Sequence, residues 1–233
     1  MPRFFVPDIS DVCHIRGNGV ASRYPLVAHE GWTFIGVALA IASVLAIFVS
    51  YIYAVPLLLL AFVLMYFYRD PPRRSPPLPL AVICPVDGYI NKIEEARDPW
   101  LERPARCISI NMSRHGVYSI RSPIEGKVQE QWNPDVAAGY YAMWVQSDEQ
   151  DDVTWGIETR GPRGPECYVQ PGERVGQGQR CGFFIPGTSV DMYLPLNSRV
   201  DVEVGQRVLS GESVVVTLVH NRGATIMIEE VEH

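Results

Sequence analysis

The sequence contains one stretch of 38 residues, from Gly31 to Tyr68, without a single charged side chain. One helix of that length would be about 57 Å long, whereas the hydrocarbon core of a bilayer is roughly 30 Å thick. Two shorter helices fit this core better, and Pro56 is unfavourable inside one continuous helix. The stretch therefore predicts a membrane helical hairpin at residues 31–68, with halves at about 32–51 and 56–68 and a break between them.

The charges that flank this stretch predict its orientation. Basic residues lie on both sides of it, whereas the connecting turn carries none: Arg16, Arg23, Arg69, Arg73 and Arg74. Because positive residues favour the cytoplasmic side, both ends should face the cytoplasm, including the N-terminal segment 1–30. We expect the chain in the cell (inner) membrane. The short second half leaves a tilted or re-entrant pair open beside two full spans.

The composition changes after the apolar stretch. Residues 69–80 are rich in proline and arginine and predict a stiff linker. From residue 81 to 233 the sequence consists of short runs of Val, Ile, Tyr and Cys between Gly, Pro and Asp residues, such as Val82–Cys84, Arg106–Met112 and Val214–Val219. Many short strands at this spacing predict a mainly β domain, a barrel or a sandwich. Because both ends of the hairpin should face the cytoplasm, we expect this β domain on the cytoplasmic side.

Charge and cysteine content exclude several functional classes. The formal net charge is −6, and Lys92 and Lys127 are the only two lysines among 20 basic residues. Nucleic acid is therefore not expected as a partner. The five cysteines form no C-x-x-C pair, which disfavours both a disulfide framework and a zinc site. We predict no metal.

An internal repeat refines the fold prediction. Residues 172–179 and 205–212 both read G-[EQ]-R-V-x-x-G-[QE]. The pattern resembles the hairpins of lipoyl and biotinyl carriers and of related hybrid-motif barrels, in which a valine points inward and glycines bound a tight turn. It predicts hybrid-motif-like hairpin repeats. It does not predict a carrier function, because neither copy contains a lysine.

Five segments together carry a second resemblance. In chain order they are His29-Glu30-Gly31-Trp32, Tyr66-Phe67-Tyr68-Arg69-Asp70-Pro71, Cys84-Pro85-Val86-Asp87-Gly88, Arg121-Ser122-Pro123-Ile124-Glu125-Gly126-Lys127-Val128 and Gly187-Thr188-Ser189-Val190-Asp191-Met192-Tyr193-Leu194-Pro195. From about residue 29 to residue 220, their order and spacing resemble those of the short bacterial and archaeal phosphatidylserine decarboxylases.

The resemblance implies an enzyme that makes its own prosthetic group. Members of this family cut themselves at a Gly-Ser bond and leave a pyruvoyl group on the new N-terminus, which replaces pyridoxal phosphate as electron sink. The substrate is a membrane phospholipid, and the products are phosphatidylethanolamine and CO₂. Here the bond would follow Gly187, separating a large chain from a small one. A homodimer is also compatible with the family.

The sequence departs from the family at the implied catalytic positions. Thr188 stands where the family has serine, so cleavage there would give a 2-oxobutanoyl group, whereas use of Ser189 would give pyruvoyl. Tyr118 stands where a histidine usually partners the aspartate matching Asp87, and a tyrosine is a poor general base at neutral pH. His115, a further candidate, lies three residues earlier, which along a strand is the opposite face.

These departures leave two functions open. The first is an active carboxy-lyase that uses Thr188 or Ser189. The second is an uncleaved relative, a membrane-anchored module that binds lipid or protein, because residues 159–167 are also rewritten relative to the family. A third hypothesis, that the uncut chain uses Cys181 or His115 for another reaction, is supported by their nearness in sequence alone.

Overall fold

The computed structural model describes residues 27–78, 80–132, 140–158, 166–183 and 189–219. Two helices come first, α1 (His29–Phe48) and α2 (Tyr51–Phe67), and they pack against each other as an antiparallel pair. The predicted helical hairpin is therefore present. The predicted position of its break is wrong, because the chain turns at Val49 and Ser50 instead.

The turn forms where a side chain can cap the second helix. Ser50 is the N-cap of α2, and its hydroxyl accepts a hydrogen bond from the Ile52 N–H at 3.4 Å. Pro56 lies inside α2. It is the sixth residue of the helix, so it removes the hydrogen bond that an N–H at this position would donate to the Ile52 carbonyl, and the helix continues through it despite this loss.

The helix surfaces divide by side-chain size. Small residues are buried in the hairpin, namely Gly31, Ala38, Ala42, Ala54 and Ala61, and they let the two helices approach closely. Most large apolar side chains point outward, with Phe48 79% and Tyr51 74% exposed. Among the described residues one helix, α1, is long and apolar enough to cross a membrane by length and composition.

The rest of the described chain is β structure. Its fourteen strands are β1 (Ala81–Ile83), β2 (Gly88–Arg97), β3 (Pro104–Met112), β4 (Ser119–Arg121), β5 (Gly126–Trp132), β6 (Tyr140–Gln146), β7 (Asp152–Glu158), β8 (Glu166–Cys167), β9 (Arg174–Val175), β10 (Arg180–Phe183), β11 (Ser189–Leu194), β12 (Arg199–Val200), β13 (Arg207–Val208) and β14 (Val214–Thr217). The mainly β prediction is confirmed. The largest sheet is a curled half-barrel of eight antiparallel strands in the order β13-β2-β3-β11-β7-β6-β5-β9.

Two small sheets of three strands complete the domain, in the orders β1-β14-β12 and β4-β10-β8. Strands β4 to β10 follow one another without interruption, between β3 and β11 in the chain. Within this block, β5, β6, β7 and β9 form one edge of the large sheet, and β4, β8 and β10 form one of the small sheets. The connection that leads back from the block, residues 184–188, carries Gly187 and Thr188 and ends at β11.

Strand β11 lies in the middle of the large sheet. It pairs with β3 from Ser189↔Asn111 to Leu194↔Arg106, and with β7 on its other side. Val190, Met192 and Leu194 are fully buried in the core, whereas the alternate residues are partly exposed on the other face. The residues that follow the candidate cleavage bond therefore belong to the most extensively paired part of the domain.

The two copies of the sequence repeat have the same backbone geometry. Gly172 and Gly205 have φ values of +94° and +87°. Each donates its N–H at 2.7 Å to the strand beneath, to the carbonyl of Val128 in the first copy and of Ile90 in the second. The valine of each copy is buried and the arginine beside it is exposed. Glycine is needed here because other residues rarely adopt such φ values.

This geometry predicts a position-specific cost of adding a methyl group. Gly172→Ala should lower the free energy of unfolding by about 1–2 kcal/mol, because alanine is strained at positive φ. A Cβ there would meet nothing within 4 Å, so sterics do not contribute. Gly176→Ala in the same turn, where φ is not positive, is the matched control and should cost much less. Denaturant unfolding in detergent measures both, and equal losses would contradict the prediction.

Candidate functional site

The two ends of the helical hairpin contact each other. Before α1, Val27 forms a β-bridge with Arg69, and the Ala28 N–H donates to the Tyr68 carbonyl at 2.6 Å. A Cβ on Gly31 would lie 2.5 Å from Cγ of Tyr68, so the absence of a side chain permits this approach. The two ends of the hairpin, residues 27–31 and 68–70, are thereby joined at its base, and we call these two segments the foot of the hairpin.

Four charged side chains connect the foot to the β domain, and we call Glu30, Asp70, Arg121 and Arg180 the foot network. Asp70 is 1% exposed and pairs with Arg121 at 3.2 Å and with Arg180 at 3.3 Å. Arg180 also pairs with Glu30 at 3.0 Å. Two acids and two bases thus cancel in charge, as buried ions require.

Aromatic rings pack beside this network. Phe183, the last residue of β10, stacks on Tyr68 with ring centroids 5.4 Å apart and meets Tyr118 edge-on at 6.5 Å. Tyr118 in turn stacks on Phe67 at 6.3 Å. Residues 184–188 follow Phe183 directly in the chain. The segment that carries the candidate cleavage bond therefore starts at the foot of the hairpin.

Asp87 is buried between β1 and β2, where its carboxylate joins three parts of the chain. It pairs with Arg73 of the linker at 3.0 Å, and it accepts N–H hydrogen bonds from Val117 at 3.0 Å and Ser210 at 2.7 Å. Arg73 is held in addition by Glu212 at 3.4 Å. Among the described residues the charged partner of Asp87 is Arg73, whereas the family resemblance implies a histidine as its partner.

Tyr118 does not contact Asp87 through its hydroxyl group. The hydroxyl donates to the Arg114 carbonyl at 2.5 Å, and burial raises the pKa of the phenol above its ordinary value. A phenol with a raised pKa is deprotonated even less at neutral pH, so less phenolate is present to act as a base. The geometry is that of a packed core residue.

His115 lies at the surface, close to the foot. Residues 113–116 form a turn rather than a strand, so the expectation that His115 and Tyr118 lie on opposite faces of a strand is wrong. The His115 carbonyl accepts from Arg69, and its Nδ1 lies 3.4 Å from the Tyr66 hydroxyl. Both partners belong to the end of the hairpin, so α2 helps to hold this turn.

Of the three candidate processing residues, the structure describes one. Ser189 is the first residue of β11 and pairs with Asn111. Gly187 and Thr188 lie outside the described residues. Asn111 is also paired with Tyr89, directly after Asp87-Gly88. The start of β11, the turn with His115 and the buried Asp87 are therefore neighbours at one end of the large sheet.

The buried thiols of Cys84 and Cys181 are not activated nucleophiles. Burial raises the pKa of the Cys84 thiol to about 12 and also raises that of Cys181. A buried thiol with a raised pKa contains little thiolate and is inert. This argues against a reaction that uses Cys181. In the part of the chain that the structure describes, no cluster of His, Cys, Asp and Glu could hold a metal ion.

Glu30, Asp70 and Arg121 stand in the segments that carry the family resemblance, and Arg73 among the flanking basic residues, but the sequence analysis gave none of them a role in the site and did not name Arg180. Glu30 and Asp70 border the uncharged stretch closely on either side, so each is a charged residue at the edge of an apolar segment. That position was a usable signal for a structural ion pair. Nothing local identified Arg121 or Arg180 as their partners, because these residues are distant in the chain.

Comparison with known proteins places this geometry in a family. The family model for phosphatidylserine decarboxylase matches residues 60–216. A phosphatidylserine decarboxylase proenzyme of Nitrosomonas eutropha is 36% identical over 206 residues, which are 82% of this chain and 95% of the relative. The chain belongs to the phosphatidylserine decarboxylase family.

A second relative matches a similar share of the chain. The phosphatidylserine decarboxylase proenzyme of Aromatoleum aromaticum is 36% identical over 209 residues, covering 84% of this chain and 97% of the relative. Among solved structures, the glucose permease IIA from Mycoplasma capricolum aligns with a TM-score of 0.43 and 17% identity, over 59% of this chain and 94% of that chain.

The segments that carry the family resemblance meet at the foot and at Asp87. This predicts that Asp87 contributes to the stability of this decarboxylase-family fold. Asp87→Asn should lower the free energy of unfolding by about 1–3 kcal/mol, since an amide cannot replace both oxygens as acceptors for buried donors. Asp148→Asn is the matched control, because Asp148 is in an exposed pair with Arg174 and should matter little.

Denaturant unfolding in detergent measures both variants of this pair. A loss for Asp87→Asn no larger than that for Asp148→Asn would show that the three contacts of Asp87 contribute no net stability.

Proposed function

We propose that the chain is a self-processing phosphatidylserine decarboxylase that acts on a membrane phospholipid and releases CO₂. The observation that carries the proposal is the family match over most of the chain, together with the stacking of Phe183 on Tyr68. This contact ties the start of the processing segment to the foot of an apolar hairpin. A lipid headgroup would be found at the same level if the hairpin lies in a bilayer.

We propose Thr188 as the nucleophile of self-cleavage. Its Oγ1 would attack the Gly187 carbonyl carbon, and the Gly187–Thr188 C–N bond would break as the hydroxyl proton moves to the nitrogen, leaving an ester. Elimination then removes the Cα proton of residue 188 and breaks the Oγ1–Cβ bond, which frees Gly187 as a carboxylate and leaves an enamine. The enamine takes up a proton at Cβ and becomes an imine. Water replaces the nitrogen, which leaves as ammonia, and residue 188 becomes a 2-oxobutanoyl group.

The position of Ser189 supports this choice of nucleophile. Ser189 already pairs with Asn111 in the ladder of β11 and β3. Attack by Ser189 on the carbonyl of residue 188 would strain the first pair of the central strand, whereas attack by Thr188 acts one residue before it. Thr188 is also the first hydroxyl residue after glycine, which gives the backbone freedom for attack.

The residues around the site have separate proposed roles. The carbonyl at residue 188 would supply an electron sink when the lipid loses CO₂. Asp87 would act as an anchor, since its oxygens already hold Arg73, Val117 and Ser210. His115 is the proposed proton carrier because it is exposed beside the foot and held by Tyr66. Tyr118 would form part of the apolar wall with Phe183.

The cut chains should stay together. The small chain, residues 188–233, would contain β12, which pairs with β14, and three strands that pair outside this range, β11, β13 and β14. These strands pair with β3, β7, β2 and β1, all of which lie in the large chain. The strand pairing does not depend on the cut connection, so cleavage should leave the sheets intact.

We further propose that the hairpin, residues 31–68, lies in the inner membrane and presents the β domain, residues 81–233, on the cytoplasmic side. Its outward apolar side chains support lipid contact, and Arg69, Arg73 and Arg74 follow it on the β-domain side. Segments 1–30 and 69–80 would be the N-terminal extension and the linker. The shared geometry of the two glycine turns supports hybrid-motif-like repeats. A homodimer remains a prediction.

One observation favours a second function, an uncut binding module. Asp87 is fully engaged and Tyr118 bonds to a backbone carbonyl, so the described residues offer no aspartate–histidine pair for self-cleavage. In that case the foot of the hairpin would serve to bind lipid or a protein.

We predict that the purified protein consists of a large chain of residues 1–187 and a small chain of 46 residues, 188–233. Intact mass in detergent measures this. The small chain should gain mass with a carbonyl-trapping amine and a reductant, and Thr188→Ser should make it lighter by one methylene. Thr188→Ala should stay uncut, because no hydroxyl is present to attack.

Ser189→Ala is the matched control and should be cut as the unmodified chain is. A single intact chain of 26.1 kDa in the unmodified protein would favour the binding module. Cleavage lost in Ser189→Ala but kept in Thr188→Ala would assign the reaction to Ser189.

A further inference from the structure

We propose that Glu30 is a positioning residue for self-cleavage and acts through Arg180, so that the chain is processed only when the hairpin is docked on the β domain. This inference rests on the proposed function and deepens it. Glu30 lies in the first turn of α1, so the proposal gives this helix a role in the reaction in addition to its proposed role as a membrane anchor.

The first step of the argument is the bridge that Arg180 forms. Its Nη2 lies 3.0 and 3.2 Å from the two carboxylate oxygens of Glu30, and its Nε lies 3.3 Å from Asp70. Glu30 begins the hairpin and Asp70 follows its end. One planar guanidinium, 10% exposed, therefore holds both ends of the hairpin at once.

The second step is that Arg180 lies on the strand that leads into the processing segment. Arg180 and Phe183 are the two ends of β10, and the Arg180 guanidinium carbon lies 5.7 Å from the centre of the Phe183 ring. Phe183 also stacks on Tyr68. Phe183 is paired in its sheet with β4 and β8, and the contacts with the hairpin, both ionic and aromatic, add to this pairing in fixing the end of β10.

The third step concerns the two fixed points that flank residues 184–188. On one side Phe183 is held by the foot, and on the other side Ser189 is held in the central strand. Attack of a hydroxyl on the preceding carbonyl requires the reacting atoms to be placed to within a fraction of an ångström. A small displacement of β10 would therefore slow the attack while the β domain stays folded.

The fourth step separates Glu30 from the rest of the foot network. Asp70 and Arg121 are almost completely buried, and removal of either leaves an unpaired charge that threatens folding. Glu30 is the outermost member, 12% exposed, and Asp70 remains beside Arg180 when Glu30 is changed. Glu30→Gln therefore loosens the bridge and leaves one excess positive charge, shared by Arg121 and Arg180, so its effect on stability has to be measured beside its effect on the rate.

We expect Glu30→Gln to slow self-cleavage about tenfold or more, the scale of effect of small misplacements in a reacting pair. The full chain is synthesised without cells in the presence of lipid nanodiscs, and intact mass follows the loss of the uncut chain. Glu149→Gln is the matched control, since Glu149 is an exposed residue in the turn between β6 and β7, and it should be cut at the unmodified rate.

Two further readouts distinguish positioning from general destabilisation. Hydroxylamine cleaves esters, so hydroxylamine-dependent cutting reports ester formation separately from elimination, and Glu30→Gln should lower it by the same factor. In a double-mutant cycle, Arg180→Lys should slow cleavage, and Glu30→Gln added to it should have little further effect. The melting temperature of Glu30→Gln should change little relative to the loss in rate.

The outcomes separate the two proposals. An uncut unmodified chain would overturn the proposed self-processing. An unmodified chain that is cut, with Glu30→Gln cut at the same rate, would overturn the role of Glu30 alone. Additive effects of Glu30→Gln and Arg180→Lys would show that Glu30 does not act through Arg180, and a fall in melting temperature that accounts for the rate would show a structural role only.

Discussion

The burial of Asp70 is the constraint on which the arrangement of the whole molecule depends. A carboxylate that is 1% exposed must be paired, and its two partners, Arg121 and Arg180, come from neighbouring strands of one small sheet. Because Asp70 directly follows the apolar hairpin, this pairing determines where the hairpin meets the β domain. At the other end of the hairpin, Glu30 pairs with Arg180 and so connects that end to the same sheet.

This constraint brings the chemistry of the family to the base of an apolar element. Arg180 and Phe183 place the end of β10 at the foot, and the central strand β11 begins again at Ser189. The five residues between them include Gly187 and Thr188, which form the proposed cleavage bond. In the proposed function, an amphiphilic substrate with its acyl chains beside the hairpin would present its headgroup at this level.

The sequence predicted those features that depend on local patterns. The uncharged stretch predicted the helical hairpin. The repeated Gly-x-Arg-Val pattern marked two glycines, Gly172 and Gly205, that both have a positive φ, a conformation that favours glycine, whereas the hairpin repeats themselves stay a prediction. The break predicted near Pro56 was wrong, because α2 begins after its N-cap Ser50 and runs through Pro56. Asp87 was identified, but its partner Arg73 could not be, because that pair is specified by folding across the linker.

Whether the missing histidine abolishes the chemistry depends on what limits self-cleavage. If proton removal is limiting, an Asp87 bound to Arg73 and two N–H groups gives no help, and Thr188 should react slowly at neutral pH. If placement of the hydroxyl against the Gly187 carbonyl is limiting, the fixed points at Phe183 and Ser189 supply most of the rate, since orientation alone can contribute several kcal/mol. A cleavage rate that responds to Glu30→Gln but hardly to pH would identify placement as the limiting factor in this member of the family.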